Sequence, residues 1–177
     1  FLGLGGHLLI QTGRPRATCG AALELLANAG IEIVAHSPWY ESAPVPASDQ
    51  PWFVNGVVSV RTELEPAPLL ALLLDVEHRM GRERGVANAA RTLDIDLIAY
   101  GNRVSVPGDD APILPHPRLS ERAFVVLPLG DLAPDWCHPV SGLGIAKLAD
   151  KLPADQDIRK MSDAEGLYGT EWQGNNT

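Results

Sequence analysis

Two aspartates stand two positions apart inside an apolar run, as Asp94 and Asp96 in Leu-Asp-Ile-Asp-Leu. Residues two apart on a β-strand project from the same face, with their backbones roughly 7 Å apart. Carboxylates this close repel each other unless a cation lies between them. Mg²⁺ accepts one or two carboxylates and completes its shell with phosphate oxygens and water. The pair therefore indicates a magnesium site; the alternative is the solvated polar face of a half-exposed strand.

A cluster of arginines lies just before this pair. Between residues 79 and 91 the acidic side chain is Glu83, and the basic side chains are those of Arg79, Arg82, Arg84 and Arg91. Guanidinium groups bind phosphate oxygens through a planar fork of N–H donors. A basic loop beside paired carboxylates is typical of a site for a nucleotide with Mg²⁺, although arginines can also serve only to keep a loop soluble.

Two other segments carry weaker signals. His116 lies between two prolines, which restrict the backbone and suit a histidine that donates to a phosphate. A lone histidine is more often an ordinary surface or core residue. Phe53 and Asn55 share one face of a predicted strand, and an aromatic ring beside an amide can stack a flat heterocycle and hydrogen-bond its edge. Buried aromatic residues are also common, so this pattern alone does not establish a binding site.

Helical and strand periodicities alternate along the chain and place these residues. Apolar spacing predicts helices at 19–29, 66–81, 121–127 and 144–152, with Ser120 as the N-cap of the third. Strands are predicted at 1–6, 31–40, 53–62 and 93–100. The order strand–helix–strand–strand–helix–strand indicates an α+β sandwich of the ferredoxin-like kind. In this arrangement helices cover one face of a mostly antiparallel sheet.

Composition limits the class of protein. The chain has 177 residues, of which 45% are hydrophobic and 20% charged, as in an ordinary globular domain. We expect one domain at 1–152 and a loosely ordered tail at 153–177. The net charge of −8 argues against nucleic-acid and anionic-membrane partners. Two cysteines far apart, and a first apolar stretch without signal-peptide features, favour a cytoplasmic protein.

Five runs taken together resemble one enzyme family in their order and spacing, over about residues 2 to 150. The runs are 49–55, 81–84, 91–97, 115–119 and 121–125. In them the chain is similar to the 6-hydroxymethyl-7,8-dihydropterin pyrophosphokinases of folate biosynthesis. The resemblance implies transfer of the β,γ-pyrophosphoryl group of ATP to the hydroxymethyl oxygen of the pterin, which leaves AMP.

The resemblance also implies roles for individual residues. Two Mg²⁺ ions that bridge the ATP phosphates would be held by Asp94 and Asp96. With these aspartates, the catalytic set would include two arginines that bind the transferring phosphates, Arg82 and Arg91. Other contacts to ATP would come from Glu77, Arg84, His116 and Arg122. The pterin would be stacked between Phe53 and Phe124 and bound at its edge by Asn55. Loop contacts to the pterin would come from Ser42, Ala43 and Val45.

The chain departs from the family pattern in three places. The segment 86–90 lacks the tryptophan of an Arg-Trp-Gly-Pro sequence common in members and looks one residue shorter. Gly6-His7 stands where Ser-Asn is common, and Pro117 occupies a position that is tyrosine in some members. Two alternatives stay open: another Mg²⁺-dependent phosphotransferase with a different flat acceptor, and a catalytically silent binding module on the same scaffold. In each reading we expect small-molecule ligands and a monomer.

Overall fold

The computed structural model describes residues 1–7, 15–44, 52–81, 93–106, 112–162 and 166–170. In these ranges the strands are β1 (Leu2–His7), β2 (Glu32–His36), β3 (Tyr40–Ser42), β4 (Phe53–Arg61), β5 (Leu93–Leu97) and β6 (Ile158–Lys160). The α-helices are α1 (Pro15–Asn28), α2 (Pro66–Arg79), α3 (Ala123–Leu132) and α4 (Ile145–Ala149). A 3₁₀ turn, Leu119–Glu121, precedes α3. Within the described ranges, no helix is long and apolar enough to cross a lipid bilayer.

The strands form one antiparallel sheet in the order β5-β1-β4-β3-β6, and β2 also pairs with β4. The predicted α+β fold is confirmed, but the single strand predicted at 31–40 is divided into β2 and β3. Ser37 separates the two strands and binds the backbone of Val57 through both its amide and its hydroxyl. Pro38 follows and has no N–H to continue the ladder. Regular pairing with β4 therefore stops after His36 and resumes at Tyr40.

Helices pack on both faces of the sheet. On one face, Leu4 of β1 lies in a core with Leu23 of α1 and Leu73 of α2. On the other face, Val57 of β4 packs with side chains of α3 and α4, including Leu129 and Ile145. The prediction that helices cover one face is therefore wrong. The apolar run of α3 extends past residue 127, through Pro128, and buries a second core.

The start of α3 also differs from the prediction that Ser120 is its N-cap. Ser120 lies in the 3₁₀ turn, and Arg122 occupies the N-cap position without a side-chain cap of its own. Gln156 supplies the missing partner, because its Oε1 accepts from the Ala123 amide at 2.9 Å. Its Nε2 donates to the Glu121 carbonyl at 2.8 Å. A residue distant in sequence thus holds the junction between the turn and α3, where Arg122 and Phe124 lie.

The C-terminal segment contributes to the sheet. β6 pairs with β3, and Lys160 forms an ion pair with Asp131 of α3. Farther along, the Tyr168 carbonyl accepts from the indole N–H of Trp39, and Thr170 is buried. These contacts connect residues of the C-terminal segment to the sheet and to α3, and the loosely ordered tail at 153–177 stays a prediction. The boundary at residue 152 stays a prediction.

Candidate active site

The two aspartates of β5 lie on the face of the sheet that α3 covers in part. Leu93, Ile95 and Leu97 are buried in the core beneath α1 and α2, whereas the alternate residues Asp94 and Asp96 are partly exposed. This alternation is the one that the two-residue spacing predicts. Both carboxylates therefore project from the same face of the strand that carries them.

A row of residues runs from Asp94 across the sheet. Asp94 is in register with Gly5 of β1, Gly5 with Asn55 of β4, and Asn55 with Tyr40 of β3. Since neighbouring strands are about 4.8 Å apart, Asn55 and Asp94 are roughly 10 Å apart at the backbone. Glycine separates them, so no side chain stands between the amide and the carboxylate. The row forms a floor with a glycine at its centre and a polar group of different chemistry on each side.

Asn55 has a fixed orientation. Its Nδ2 donates to Ser42 Oγ at 2.8 Å, and both side chains are buried. Phe53 lies two residues earlier on the same face of β4 and is in register with Ser42. This places an aromatic ring, a hydroxyl and an amide side by side; of these, the strand periodicity predicts the ring of Phe53 and the amide of Asn55 on one face. Ala43 follows β3, and its amide donates to the Asp157 carbonyl at 2.9 Å, so that N–H is already used.

Arg122 connects the carboxylate side of the site with the aromatic side. Its Nη1 lies 3.1 Å from Asp96 Oδ2, with 20% and 33% of the two side chains exposed. Its guanidinium carbon lies 5.5 Å from the centre of the Phe124 ring, within the range of a cation–π contact. A largely buried cation is therefore held where it can meet a phosphate group close to the Asp94–Asp96 pair.

His116 is held by its own backbone and by the turn after it. Its amide donates to the Ile98 carbonyl at 2.8 Å, and its Nδ1 accepts from the Arg118 amide at 3.1 Å. An Nδ1 that accepts leaves the proton of the neutral ring on Nε2. Burial lowers the pKa of His116, the negative charge of Asp96 opposes that effect, and the positive charge of Arg122 adds to it. The net effect lowers the pKa of His116 and so favours the neutral ring, whose proton is on Nε2.

We expect an NMR titration to give His116 a pKa below the ordinary 6.5, and Asp96→Asn to lower that pKa further. Asp96 stabilises the imidazolium, so removing its charge favours the neutral ring. Because the pKa of His116 is lower in the folded than in the unfolded state, the neutral ring favours folding. This contribution to stability is complete above pH 6.5. It is lost as the pH falls through the lowered value. A pKa that rises in Asp96→Asn would contradict this electrostatic picture.

Other predicted site residues are distributed as follows. Glu77 is buried behind β5, on the helix α2. Four predicted residues lie outside the described residues: Val45, Arg82, Arg84 and Arg91. In the part of the chain that the structure describes, no group of three or more His, Cys, Asp or Glu side chains could hold a metal ion. A cation at Asp94 and Asp96 would therefore take further ligands from substrate and water.

Sequence reasoning missed two residues that support the site. Tyr40 extends the row beyond Asn55, and its hydroxyl donates to Asp131 of α3. Tyr40 stands two residues before Ser42 on one strand, and this spacing could have predicted that it shares a face with Ser42. Gln156, which supports the turn at Arg122, left no such signal because its partners lie more than thirty residues away.

Comparison with known proteins shows which family this chain resembles in sequence. The model of the 7,8-dihydro-6-hydroxymethylpterin-pyrophosphokinase family matches residues 1–134. A 2-amino-4-hydroxy-6-hydroxymethyldihydropteridine pyrophosphokinase of Synechocystis is 42% identical over 134 residues, which cover 75% of this chain and 67% of that protein. Its counterpart from Methylorubrum extorquens is 40% identical, with 76% of this chain and 82% of that protein covered.

Larger relatives contain the same region as one part. The folic acid synthesis protein fol1 of Pneumocystis carinii is 39% identical over 79% of this chain, and the chain spans 18% of its length. A crystal structure of Plasmodium falciparum HPPK-DHPS superposes with a TM-score of 0.65 at 15% identity, covering 85% of this chain and 43% of that one. At that identity the likeness shows the fold alone. With the family match, these findings show that the chain belongs to the 7,8-dihydro-6-hydroxymethylpterin-pyrophosphokinase family.

Proposed function

We propose that this chain transfers pyrophosphate from ATP to 6-hydroxymethyl-7,8-dihydropterin in folate biosynthesis. The hydroxymethyl oxygen attacks the β-phosphorus and gives up its proton to water, the bond between that phosphorus and the oxygen of the α-phosphate breaks, and AMP leaves. The observation that carries the proposal is the row Asp94–Gly5–Asn55, which places a carboxylate and a buried amide on one face of the sheet with only a glycine between them. Family membership supports the same reaction.

The metal would be held by Asp94 and Asp96. Their chemistry fits Mg²⁺, since hard carboxylate oxygens on one half-exposed face leave positions for phosphate oxygens and water. We propose two ions, as the resemblance implies. Bound there, Mg²⁺ supplies positive charge to the phosphate oxygens of the nucleotide.

The chain's own cations and donors bind the remaining phosphate oxygens. Arg122 is partly exposed beside Asp96, and His116 offers Nε2–H close by. As the resemblance implies, we assign binding of the transferring phosphates to Arg82 and Arg91, with a further contact from Arg84. Little covalent chemistry is required of the protein in such a transfer, so charge neutralisation and alignment provide most of the rate.

The pterin side of the site orients the acceptor. Phe53 and Phe124 would stack on the two faces of the ring, while Asn55 binds its edge. The hydrogen bond from Asn55 to Ser42 fixes the amide before the substrate arrives, which lowers the entropy cost of binding. Ala43 and Val45 would add contacts from the loop that follows β3. We further propose a cytoplasmic monomer that binds these small molecules and no nucleic acid or membrane, supported by the net charge of −8.

The test is to incubate the protein with ATP, Mg²⁺ and hydroxymethyl-dihydropterin and to separate the products. We expect AMP and the pterin pyrophosphate in equal amounts. Formation of ADP would indicate a different phosphotransferase. Binding of both ligands without turnover would indicate a catalytically silent module. Either result would overturn the proposal.

We expect Gly5→Ala to raise KM for the pterin by roughly tenfold, the scale of one misplaced methyl group in a fitted pocket. A Cβ at Gly5 would lie 3.2 Å from Asn55 Oδ1 and would displace the amide or fill the floor beside it. Steady-state kinetics with each substrate varied in turn will measure this effect, and KM for ATP should change less.

Gly3→Ala is the matched control. Gly3 lies on the same face of the same strand, and a Cβ there would be equally tight, 3.2 Å from Ile98 Cδ1. That contact is with the second core, not with Asn55. Both variants should lose similar thermal stability, and Gly3→Ala should keep its KM for the pterin. Equal kinetic defects in the two variants would show that general strain, and not the site, is responsible.

A further inference from the structure

Glu77 is a buried carboxylate that needs a structural explanation. Glu77 is 1% exposed. It lies near the C-terminal end of α2, directly after the core residue Val76 and four residues after the core residue Leu73. Burial of a charged group is costly unless hydrogen bonds or charges compensate for it. The resemblance implies a contact with ATP, but a residue with this exposure has little surface to offer a ligand.

The carboxylate is directed at the strand that carries the aspartate pair. Glu77 Oε1 accepts a hydrogen bond from the Ile95 amide at 2.7 Å, the short length typical of a charge-assisted bond. In the described part of the chain, β5 pairs with β1 along one edge. Glu77 accepts the hydrogen bond of the Ile95 amide. At this position its carboxylate takes the place of a carbonyl group from a neighbouring strand.

Ile95 is the residue between Asp94 and Asp96. Because the three residues are consecutive on one pleated strand, the orientation of the Ile95 peptide sets the directions in which both flanking side chains leave the backbone. A bond that holds this peptide therefore holds the relative position of the two carboxylates. Partners that orient metal ligands in this way commonly change metal affinity by about 10- to 100-fold when removed.

We propose that Glu77 is a positioning residue for the Asp94–Asp96 pair and acts by accepting the Ile95 N–H, not by binding ATP. This inference rests on the proposed function of the pair as the metal site. It requires the reach of the Glu77 side chain to the Ile95 amide, and the negative charge strengthens the bond that this reach makes possible. Reach and charge can be separated by substitution.

Two variants separate them. Glu77→Gln keeps the length and an acceptor oxygen but removes the charge, whereas Glu77→Asp keeps the charge and shortens the reach by one methylene. Leu73→Val removes one methylene from the buried face of the same helix and is the control for a small cavity. For each protein, Mn²⁺ binding is measured by calorimetry with a non-hydrolysable ATP analogue present. The Mg²⁺ concentration for half-maximal AMP formation and KM for the pterin are measured in parallel.

We expect Glu77→Asp to weaken Mn²⁺ binding and to raise the required Mg²⁺ by about tenfold, the lower end of the range for such partners. KM for the pterin should not change. Glu77→Gln should bind the metal more tightly than Glu77→Asp does, and Leu73→Val should lose thermal stability without a change in metal binding. Amide exchange at Ile95 should be faster in Glu77→Asp than in Glu77→Gln.

Three results would overturn the inference. They are unchanged metal binding in Glu77→Asp, an equal defect in Glu77→Gln, and an equal defect in Leu73→Val. The Mn²⁺ measurement does not depend on turnover. If the wild-type protein bound Mn²⁺ and the analogue but made no AMP, the proposed reaction would fail while the positioning role could still be judged.

Discussion

Replacing Asp96 with alanine is expected to lower the rate of AMP formation by at least about 100-fold, the scale of losing one major electrostatic contribution. Asp96 is half-exposed, and its carboxylate is placed to bind a cation together with Asp94. Its removal deprives the cation of a ligand and also leaves Arg122 without its partner. Since Asp96 contributes little to the core, the thermal unfolding transition should stay close to that of the wild type.

Asp75→Ala is the matched control for this experiment. Asp75 is also a carboxylate paired with an arginine, at 2.8 Å from Arg79, but it lies on the surface of α2 with Arg79 as its i,i+4 partner. Exposed pairs of this kind contribute roughly 0.3–0.5 kcal/mol to stability. Asp75→Ala should therefore keep its activity. If Asp96→Ala also kept nearly wild-type activity, the assignment of the metal site would be wrong.

Local patterns in the sequence predicted the part of the site that depends on short-range geometry. The alternation in β5 places Asp94 and Asp96 together because residues two apart on a strand share a face wherever the strand lies. The same reasoning placed Phe53 beside Asn55 on β4. These inferences needed no knowledge of tertiary structure, and the burial pattern of β5 agrees with them.

Features set by distant contacts could not be predicted in this way. The break between β2 and β3 depends on the way Ser37 binds Val57, and the start of α3 depends on Gln156. The role of Glu77 was also hidden, because a glutamate on a helix shows no sign in the sequence that it faces the edge of a strand. In each case a polar side chain satisfies a backbone group far along the chain, and periodicity carries no information about such pairs.

Replacing Asn55 with alanine is expected to raise KM for the pterin by about 10- to 100-fold, because a buried hydrogen bond left unmade costs roughly 1–3 kcal/mol. KM for ATP should change little, since Asn55 lies two strands away from Asp94. Ser59→Ala is the control: Ser59 lies on the same face of β4, four residues on, with its hydroxyl 3.5 Å from the Ala35 carbonyl. Equal effects of both variants would argue against a pterin contact at Asn55.

A double-mutant cycle with Ser42 distinguishes direct binding from orientation. If Ser42 affects pterin binding only by orienting the Asn55 amide, Ser42→Ala should raise KM for the pterin less than Asn55→Ala does. The double variant should then be no worse than Asn55→Ala alone, because residues joined by one hydrogen bond are coupled and their effects do not add. Additive effects would mean that Ser42 and Asn55 contact the pterin independently, and the amide would then not be pre-oriented by its neighbour.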